Sequence, residues 1–278
     1  MSLVLIGILS VQFGAAVSKG LFSEIPPVGM VLLRLVTSSL ILLALARPRL
    51  GGGRTAADWR PVLALGVALG AMNWAFYASF ARIPLGVAVT IEFVGPLVLA
   101  AVGRRRPRDL AWVGLAALGV VLFGAGPTKV DALGFGLALL AGGCWALYIV
   151  STAATGRRWA GVEGLAVAST VATLAIAPFA VATAGARLLE LRLLVLGALV
   201  GLLSSVIPYS LEMSALRTLP PRVFGILMSL EPATAALVAA VLLREWLTPL
   251  QLLAMACVTA ASVGAARTTS ARDAIPGD

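Results

Sequence analysis

The sequence predicts an all-α integral membrane protein with ten transmembrane helices in two inverted five-helix repeats. Of its 278 residues, 60% are apolar and only 12% are charged, whereas soluble domains carry about 25% charged residues. The apolar residues form repeated runs of about 20, the length that a helix needs to cross a hydrocarbon layer of ~30 Å. The second half of the chain also repeats a pattern of prolines and aromatic residues found in the first half.

Ten apolar runs are candidate spans, and the connections between them are rich in Pro, Gly or Arg. They lie at about 3–22, 28–46, 61–81, 84–103, 110–126, 133–153, 162–184, 193–216, 221–243 and 248–266. Each is expected to be helical, because lipid offers the backbone no hydrogen-bond partner and no run alternates in polarity as a barrel strand does. The first run lacks the positive region and cleavage site of a signal peptide, so we expect it to be retained as a span. The polar segment 268–278 is predicted to be a disordered cytoplasmic tail.

The distribution of positive charge predicts the orientation. With the N-terminus placed in the cytoplasm, 14 Lys and Arg residues fall in cytoplasmic segments and five on the opposite side, while Lys19 and Arg34 lie within spans. Positive residues are concentrated on the cytoplasmic side of membrane proteins, so both termini are predicted to be cytoplasmic. This placement in short loops also argues against nucleic-acid binding, despite the net charge of +9.

The internal repeat is clearest at an offset of 136 residues, where Pro84 coincides with Pro220 and Pro96 with Pro232. We place the two repeats at 1–127 and 132–267. Because each holds five spans, an odd number, the second copy crosses the membrane in the opposite sense. Inverted repeats of this kind are typical of secondary transporters, which move between two access states.

Five ionisable residues within the spans or toward their ends stand out: Lys19, Arg34, Glu92, Glu212 and Glu231. Counted at 1.5 Å per residue, Glu92 is about 12 Å and Glu231 about 15 Å into its span. The two spans are entered from opposite sides, so both carboxylates come near the midplane. Intramembrane charges are costly and usually face an interior cavity. We interpret Glu92 and Glu231 as binding a cationic group or a proton there; the alternative is a structural polar pair between helices.

The other three charges have competing interpretations. Glu212 lies near the cytoplasmic end of its span, where it either lines the cavity or sits at the interface. Lys19 and Arg34 approach the outer face on neighbouring spans, where long side chains can reach the headgroups. Alternatively, they form a cationic rim that attracts a substrate carboxylate.

Other polar and aromatic residues recur at helical spacing and are candidates for the same cavity. The pairs are Asn73 and Tyr77, Trp145 and Tyr148, Tyr209 and Glu212, and Gln12 and Lys19. Interfacial aromatic belts are the competing explanation for Tyr and Trp. Pro96 and Pro232 follow the two central glutamates closely and are predicted helix breaks, because proline removes a backbone hydrogen bond.

Enzymatic classes find little support. The chain contains no His, so His-based metal sites and general bases are excluded, and it has no GxSxG motif and no Asp within a span. We predict no cofactor and no metal. A passive channel is not favoured either, because the central carboxylates come without a repeated filter sequence.

The chain resembles the drug/metabolite transporter superfamily, specifically its EamA-type repeats, and within it bacterial inner-membrane exporters of small amino acids. The resemblance covers nearly the whole chain apart from the tail. It is carried by FGAAVSKGLF (13–22), LRL (33–35), MNWAFY (72–77), IPLGVAVTIEFVGPL (83–97), GGCWALYI (142–149), IPYSLEMSALRTLP (207–220) and RVFGILMSLEPA (222–233). All five unusual charges fall in these segments.

This resemblance implies export of L-threonine and L-homoserine across the bacterial inner membrane in exchange for protons, with the proton gradient as the driving force. Glu231 and Glu92 are then expected to bind the substrate ammonium or a proton in turn, while Lys19 or Arg34 attracts the carboxylate. Membership of the superfamily leaves another substrate class open: other amino acids, cationic drugs or nucleotide-sugar-like metabolites. It does not predict the oligomeric state.

Overall fold

The computed structural model describes residues 1–48, 53–102, 107–125, 131–216 and 218–270, and every regular element in these ranges is helical. The α-helices are α1 (Ser2–Gly20), α2 (Pro27–Ala46), α3 (Ala56–Phe80), α4 (Leu85–Glu92), α5 (Val94–Val102), α6 (Pro107–Gly124), α7 (Ala132–Gly156), α8 (Glu163–Ala184), α9 (Leu191–Gly201), α10 (Ile207–Leu216), α11 (Pro221–Met228), α12 (Glu231–Leu243) and α13 (Pro249–Ser270). A 3₁₀ turn follows α8, and a π-helical turn, Leu202–Val206, joins α9 to α10.

The membrane character of the fold is confirmed. Within the described residues, eight helical segments are long and apolar enough to cross a membrane, and Leu85–Ala100 and Leu110–Gly124 are shorter apolar segments. The count of ten crossings and their inverted arrangement remain predictions.

Three spans predicted as continuous helices are interrupted. The segment 84–103 divides into α4 and α5 at Phe93, and 221–243 divides into α11 and α12 at Ser229 and Leu230. Pro96 and Pro232 do not stand at these breaks but in the first turns of α5 and α12. Proline fits there, because the first backbone N–H groups of a helix have no intrahelical acceptor. The third interruption is the π-helical turn within 193–216.

Two further boundaries differ from the sequence prediction. Helix α3 begins five residues before the expected start at 61, because Thr55 and Asp58 form a capping box in which the Thr55 amide and hydroxyl both donate to Asp58 Oδ2 at 2.8 Å. Helix α13 extends to Ser270, so 268–270 are helical rather than disordered; Arg267 in its last turn suits the negative end of the helix dipole. The remainder of the predicted tail lies outside the described residues.

The packing brings the two interrupted helices to the centre. Helix α4 contacts α12, α1 packs along the π-helical turn and α10, and α3 packs along α7. The contact of α5 with α7 depends on two glycines, because a Cβ on Gly95 would lie 1.8 Å from the carbonyl oxygen of Gly142. This close approach holds the end of α4, with Glu92, against α7.

Candidate functional site

A cavity of about 260 Å³ lies at the centre of the bundle, with walls from both halves of the chain. Eight of the predicted site residues line it: Gln12, Arg34, Asn73, Glu92, Trp145, Tyr148, Glu212 and Glu231. Most of the remaining wall is apolar, formed by Val11, Met72, Phe76, Val89, Pro208 and Met228. The cavity is therefore amphipathic, with charged groups set among aliphatic, thioether and aromatic surface.

The two helix breaks place the central carboxylates. Glu92 is the last residue of α4 and Glu231 the first of α12, and each is only 8% exposed. Glu92 interacts electrostatically with Glu231 and with Arg34, and Glu231 interacts with Glu212. The cavity wall thus holds three carboxylates, each within electrostatic range of the next, and one guanidinium within range of Glu92. Such a series favours a bound cationic group or proton, because buried like charges repel one another.

Arg34 is held in place by the π-helical turn. Its Nη2 donates to the Ser204 carbonyl at 3.0 Å and its Nε to Ser205 Oγ at 3.3 Å. Nη1 donates to Tyr77 Oη at 3.3 Å, and Tyr77 is 1% exposed and supports the guanidinium from outside the cavity lining. Pro208, four residues after Ser204, has no backbone N–H, so the Ser204 carbonyl lacks its usual helical donor and accepts from Arg34 instead.

Helix α1 approaches the π-helical turn closely. Ser10 Oγ donates to the Leu203 carbonyl at 2.7 Å, and a Cβ on Gly14 would lie 2.3 Å from Ser204 Oγ. Glycine is therefore required at this position for the helix to reach the turn. The contact fixes the wall of the cavity next to Arg34.

Several neutral residues of the lining also make contacts within the protein. Asn73 Nδ2 donates to the Leu69 carbonyl at 2.8 Å, and the Trp145 ring packs edge-on against Phe93 with centroids 5.0 Å apart. Trp145 and Tyr148 face the cavity rather than forming only an interfacial belt. Tyr209 belongs to α10, and its side chain lies outside the described part of the structure.

The structure does not bring Lys19 to the cavity. Its Nζ lies 2.5 Å from Glu245 Oε1 and donates to the Ile83 carbonyl at 2.8 Å, while Glu245 Oε2 accepts from the Leu85 amide at 2.8 Å. We call these contacts the far-side lock. It joins the end of α1 to the start of α4 and to the connection between α12 and α13. Lys19 is thus neither a headgroup-seeking residue nor a cavity cation.

The cavity extends away from this lock. Val4 and Ile8 of α1 pack with Ala215 of α10, so α10 ends beside the N-terminal part of α1. Glu212, three residues before Ala215, lies at that level, whereas Lys19 lies at the opposite end of α1. We call the end of the bundle near the N-terminus the N face and the opposite end the far face. The lining therefore runs from the centre toward the N face.

Comparison with known proteins identifies the family. The EamA-like transporter family matches residues 132–267. Threonine/homoserine exporter RhtA of Escherichia coli (strain K12) is 44% identical over 271 residues, which cover 96% of this chain and 90% of the relative. The protein of the same name from Salmonella typhimurium (strain LT2) is 44% identical over 273 residues, covering 95% and 90%. The chain belongs to the EamA-like transporter family.

A solved crystal structure supports the same fold. It superposes on this EamA-like transporter with a TM-score of 0.60 at 18% identity, covering 97% of this chain and 99% of the other. Family membership confirms the expectation of a multi-pass membrane transporter rather than an enzyme. In the described part of the transporter, no cluster of three or more His, Cys, Asp or Glu residues is arranged to hold a metal.

Three residues of the transporter that matter for the site were not found by sequence reasoning. Ser204 and Ser205 are small hydroxyl residues of a kind common in apolar spans, and the available signal was Pro208, which removes the helical donor to the Ser204 carbonyl. Glu245 lies in a connection just beyond the predicted end of a span. The available signal was an acidic residue in a connection on the same side of the membrane as Lys19.

Proposed function

We propose that the protein is a secondary active exporter of small amino acids, specifically L-threonine and L-homoserine, coupled to protons by alternating access. The observation that carries the proposal is a guanidinium, fixed by three hydrogen bonds, facing buried carboxylates within one small cavity. The 44% identity to proteins named threonine/homoserine exporter supports the substrate.

A zwitterionic amino acid matches this charge arrangement. Its α-carboxylate binds the Arg34 guanidinium, which is suited to paired hydrogen bonds with a carboxylate. Its α-ammonium lies toward Glu92 and Glu231, and its side chain contacts the apolar wall. The volume of about 260 Å³ is below the ~300–1,000 Å³ usual for pockets of drug-sized ligands, which favours a small substrate over a nucleotide sugar.

Proton coupling follows from competition at the carboxylates. A carboxylate that holds a proton no longer attracts the substrate ammonium, so the two cations occupy Glu231 or Glu92 in turn. Glu212 lies between Glu231 and the N face and provides a further proton-accepting group on that route. The proton gradient is the driving force, and no cofactor takes part.

Alternating access rests on two inverted repeats, 1–127 and 132–267. Helices α4 and α11 support this division: each has eight residues, each follows a proline, and they are 136 residues apart. Helix α1 of the first half packs on α10 of the second half. The counterpart of α1 in the second half, α7, packs in the same way on α3, the counterpart of α10 in the first half. Rocking of the halves opens the far-side lock and closes the N face. We further propose that the N face is cytoplasmic, with both termini in the cytoplasm and the protein in the bacterial inner membrane.

Counterflow in proteoliposomes tests the function. Radiolabelled threonine is expected to exchange with internal homoserine, and an imposed pH gradient is expected to drive net threonine movement. Glu231→Gln should abolish the pH-driven movement, because an amide cannot exchange a proton. The control is Glu190→Gln, an exposed residue before α9. Normal pH-driven transport by Glu231→Gln would contradict the coupling role.

A transporter of organic cations is the second candidate, because three carboxylates face one guanidinium in the cavity. The same counterflow assay distinguishes it when homoserine is replaced by a quaternary ammonium competitor. Inhibition by that cation and none by homoserine would favour this second substrate class.

A further inference from the structure

Two oxygens in the cavity wall stand apart from the charged groups. Gln12 Oε1 and Ser204 Oγ are buried and have no hydrogen-bond partner among the residues that the structure describes. Both residues line the cavity, and their exposed fractions are 2% and 3%. Buried polar groups are nearly always paired, and each unpaired one is a cost to the empty state. Both atoms belong to residues that line one binding cavity, so a ligand that draws them into hydrogen bonds would remove this cost.

Their chemistry defines what that ligand must offer. An amide oxygen such as Gln12 Oε1 only accepts hydrogen bonds, whereas the Ser204 hydroxyl both donates and accepts. A substrate hydroxyl satisfies both, because it donates its hydrogen to Gln12 and accepts one from Ser204.

The position of Ser204 fits this role. Its carbonyl accepts from Arg34 Nη2 at 3.0 Å, so the residue lies next to the guanidinium that is proposed to receive the α-carboxylate. A hydroxyl on the carbon next to Cα, or one carbon further, lies within a few ångströms of that carboxylate. In the structure the Ser204 hydroxyl packs against Gly14 of α1, so it reaches the substrate by rotation about its Cα–Cβ bond, as the Gln12 amide does by rotation about its last side-chain bond. Asn73 is less suited as the donor, because its amide nitrogen already binds the Leu69 carbonyl.

We propose that Gln12 and Ser204 are specificity-determining residues that recognise the side-chain hydroxyl of the transported amino acid. The inference rests on the proposed function and deepens it: the preferred substrates are hydroxyamino acids. A site built to bind a hydroxyl rejects the analogue that lacks it, because its own polar groups are then left unpaired.

2-Aminobutyrate is the probe, because it is the deoxy analogue of both threonine and homoserine. In proteoliposomes, the half-saturating concentration for 2-aminobutyrate is expected to exceed that for threonine by about tenfold or more, as expected for lost hydrogen bonds. In Gln12→Met/Ser204→Ala the two values should converge to within about twofold, mainly through weaker threonine binding. Transport of 2-aminobutyrate by the double variant shows that the protein is folded. If the double variant is inactive, the single variants Gln12→Met and Ser204→Ala are measured in its place.

Ser214→Ala is the matched control, because Ser214 is exposed on α10 and its hydroxyl binds only its own helix at Ser210. It should keep the full preference for threonine. Equal affinity of the parent protein for threonine and 2-aminobutyrate would overturn the inference, as would a double variant that keeps the parent's preference. Absence of transport of any of these amino acids by the parent protein would instead contradict the proposed function itself.

Discussion

Lys19 and Arg34 are alike in the sequence, each a lone cation near the same end of neighbouring spans, yet they have different surroundings. Arg34 faces the central cavity and is fixed by the backbone and side chains of the π-helical turn. Lys19 points into the far-side lock, where Glu245 and the start of α4 satisfy it. The partners that each cation finds in the assembled bundle thus decide whether it faces the cavity.

The chemistry of the two side chains matches these settings. The guanidinium carries five donors in a planar fork, which suits several hydrogen bonds to the protein together with a paired contact to a carboxylate. The ammonium is a compact charge with three donors, which suits a single carboxylate and one carbonyl. Substitutions at the two positions should therefore affect different properties of the transporter.

Arg34→Met is expected to have the largest effect. Loss of the cation removes the proposed partner of the α-carboxylate, and removal of one member of a buried charged pair costs about 2–5 kcal/mol. Threonine affinity in counterflow should fall by about 100-fold or more. Arg34→Lys should restore only part of it, because it keeps the charge but loses the paired geometry. Near-normal affinity in Arg34→Met would place the carboxylate elsewhere.

Lys19→Met should leave substrate affinity within about threefold but loosen the far-side lock. The measurement uses Val89→Cys, one turn before Glu92 and on the cavity lining, with Cys144 and Cys257 replaced by Ser. A membrane-impermeant thiol reagent applied to the far face should label Cys at this position about tenfold faster when Lys19 is replaced. Glu245→Gln should have a similar effect, and the two substitutions should not be additive, because both break one contact. Unchanged labelling in both variants would show that the lock does not govern access.

These two positions also show the limit of sequence reasoning. Glu92 and Glu231 were placed at the cavity by counting residues, because depth in a membrane follows from helical rise alone. The direction of Lys19 depends on Glu245, more than 200 residues away along the chain, and no periodicity encodes that contact. Pro208 indicates a disturbed helix near Ser204, but the close approach of Gly14 and the binding of Arg34 arise only in the assembled bundle. Long-range partners decide which of several candidate charges faces the cavity.

Tyr77→Phe provides a smaller test of the support behind Arg34. The hydroxyl accepts from Arg34 Nη1 at 3.3 Å and lies 3.4 Å from Ser18 Oγ, while the ring packs in the core. Phenylalanine keeps the ring but removes an interaction of about 0.5–1.5 kcal/mol. Threonine affinity is expected to fall by about fivefold, with little change in far-face labelling. A labelling change as large as that of Lys19→Met would mean that Tyr77 belongs to the lock instead.

The smallest effect is expected from Arg192→Met, which breaks the ion pair with Glu24 on the same face as the lock. The Arg192 side chain is 66% exposed and that of Glu24 38%, against 16% for Lys19 and 20% for Glu245. Water screens an exposed pair, so its removal costs little, whereas removal of one partner from a shielded pair leaves the other without compensation. Arg192→Met should therefore leave both threonine counterflow and far-face labelling within about twofold of the parent protein. If it increased labelling as much as Lys19→Met, closure of the far face would depend on the total charge at that surface rather than on the shielded contact of Lys19 with Glu245.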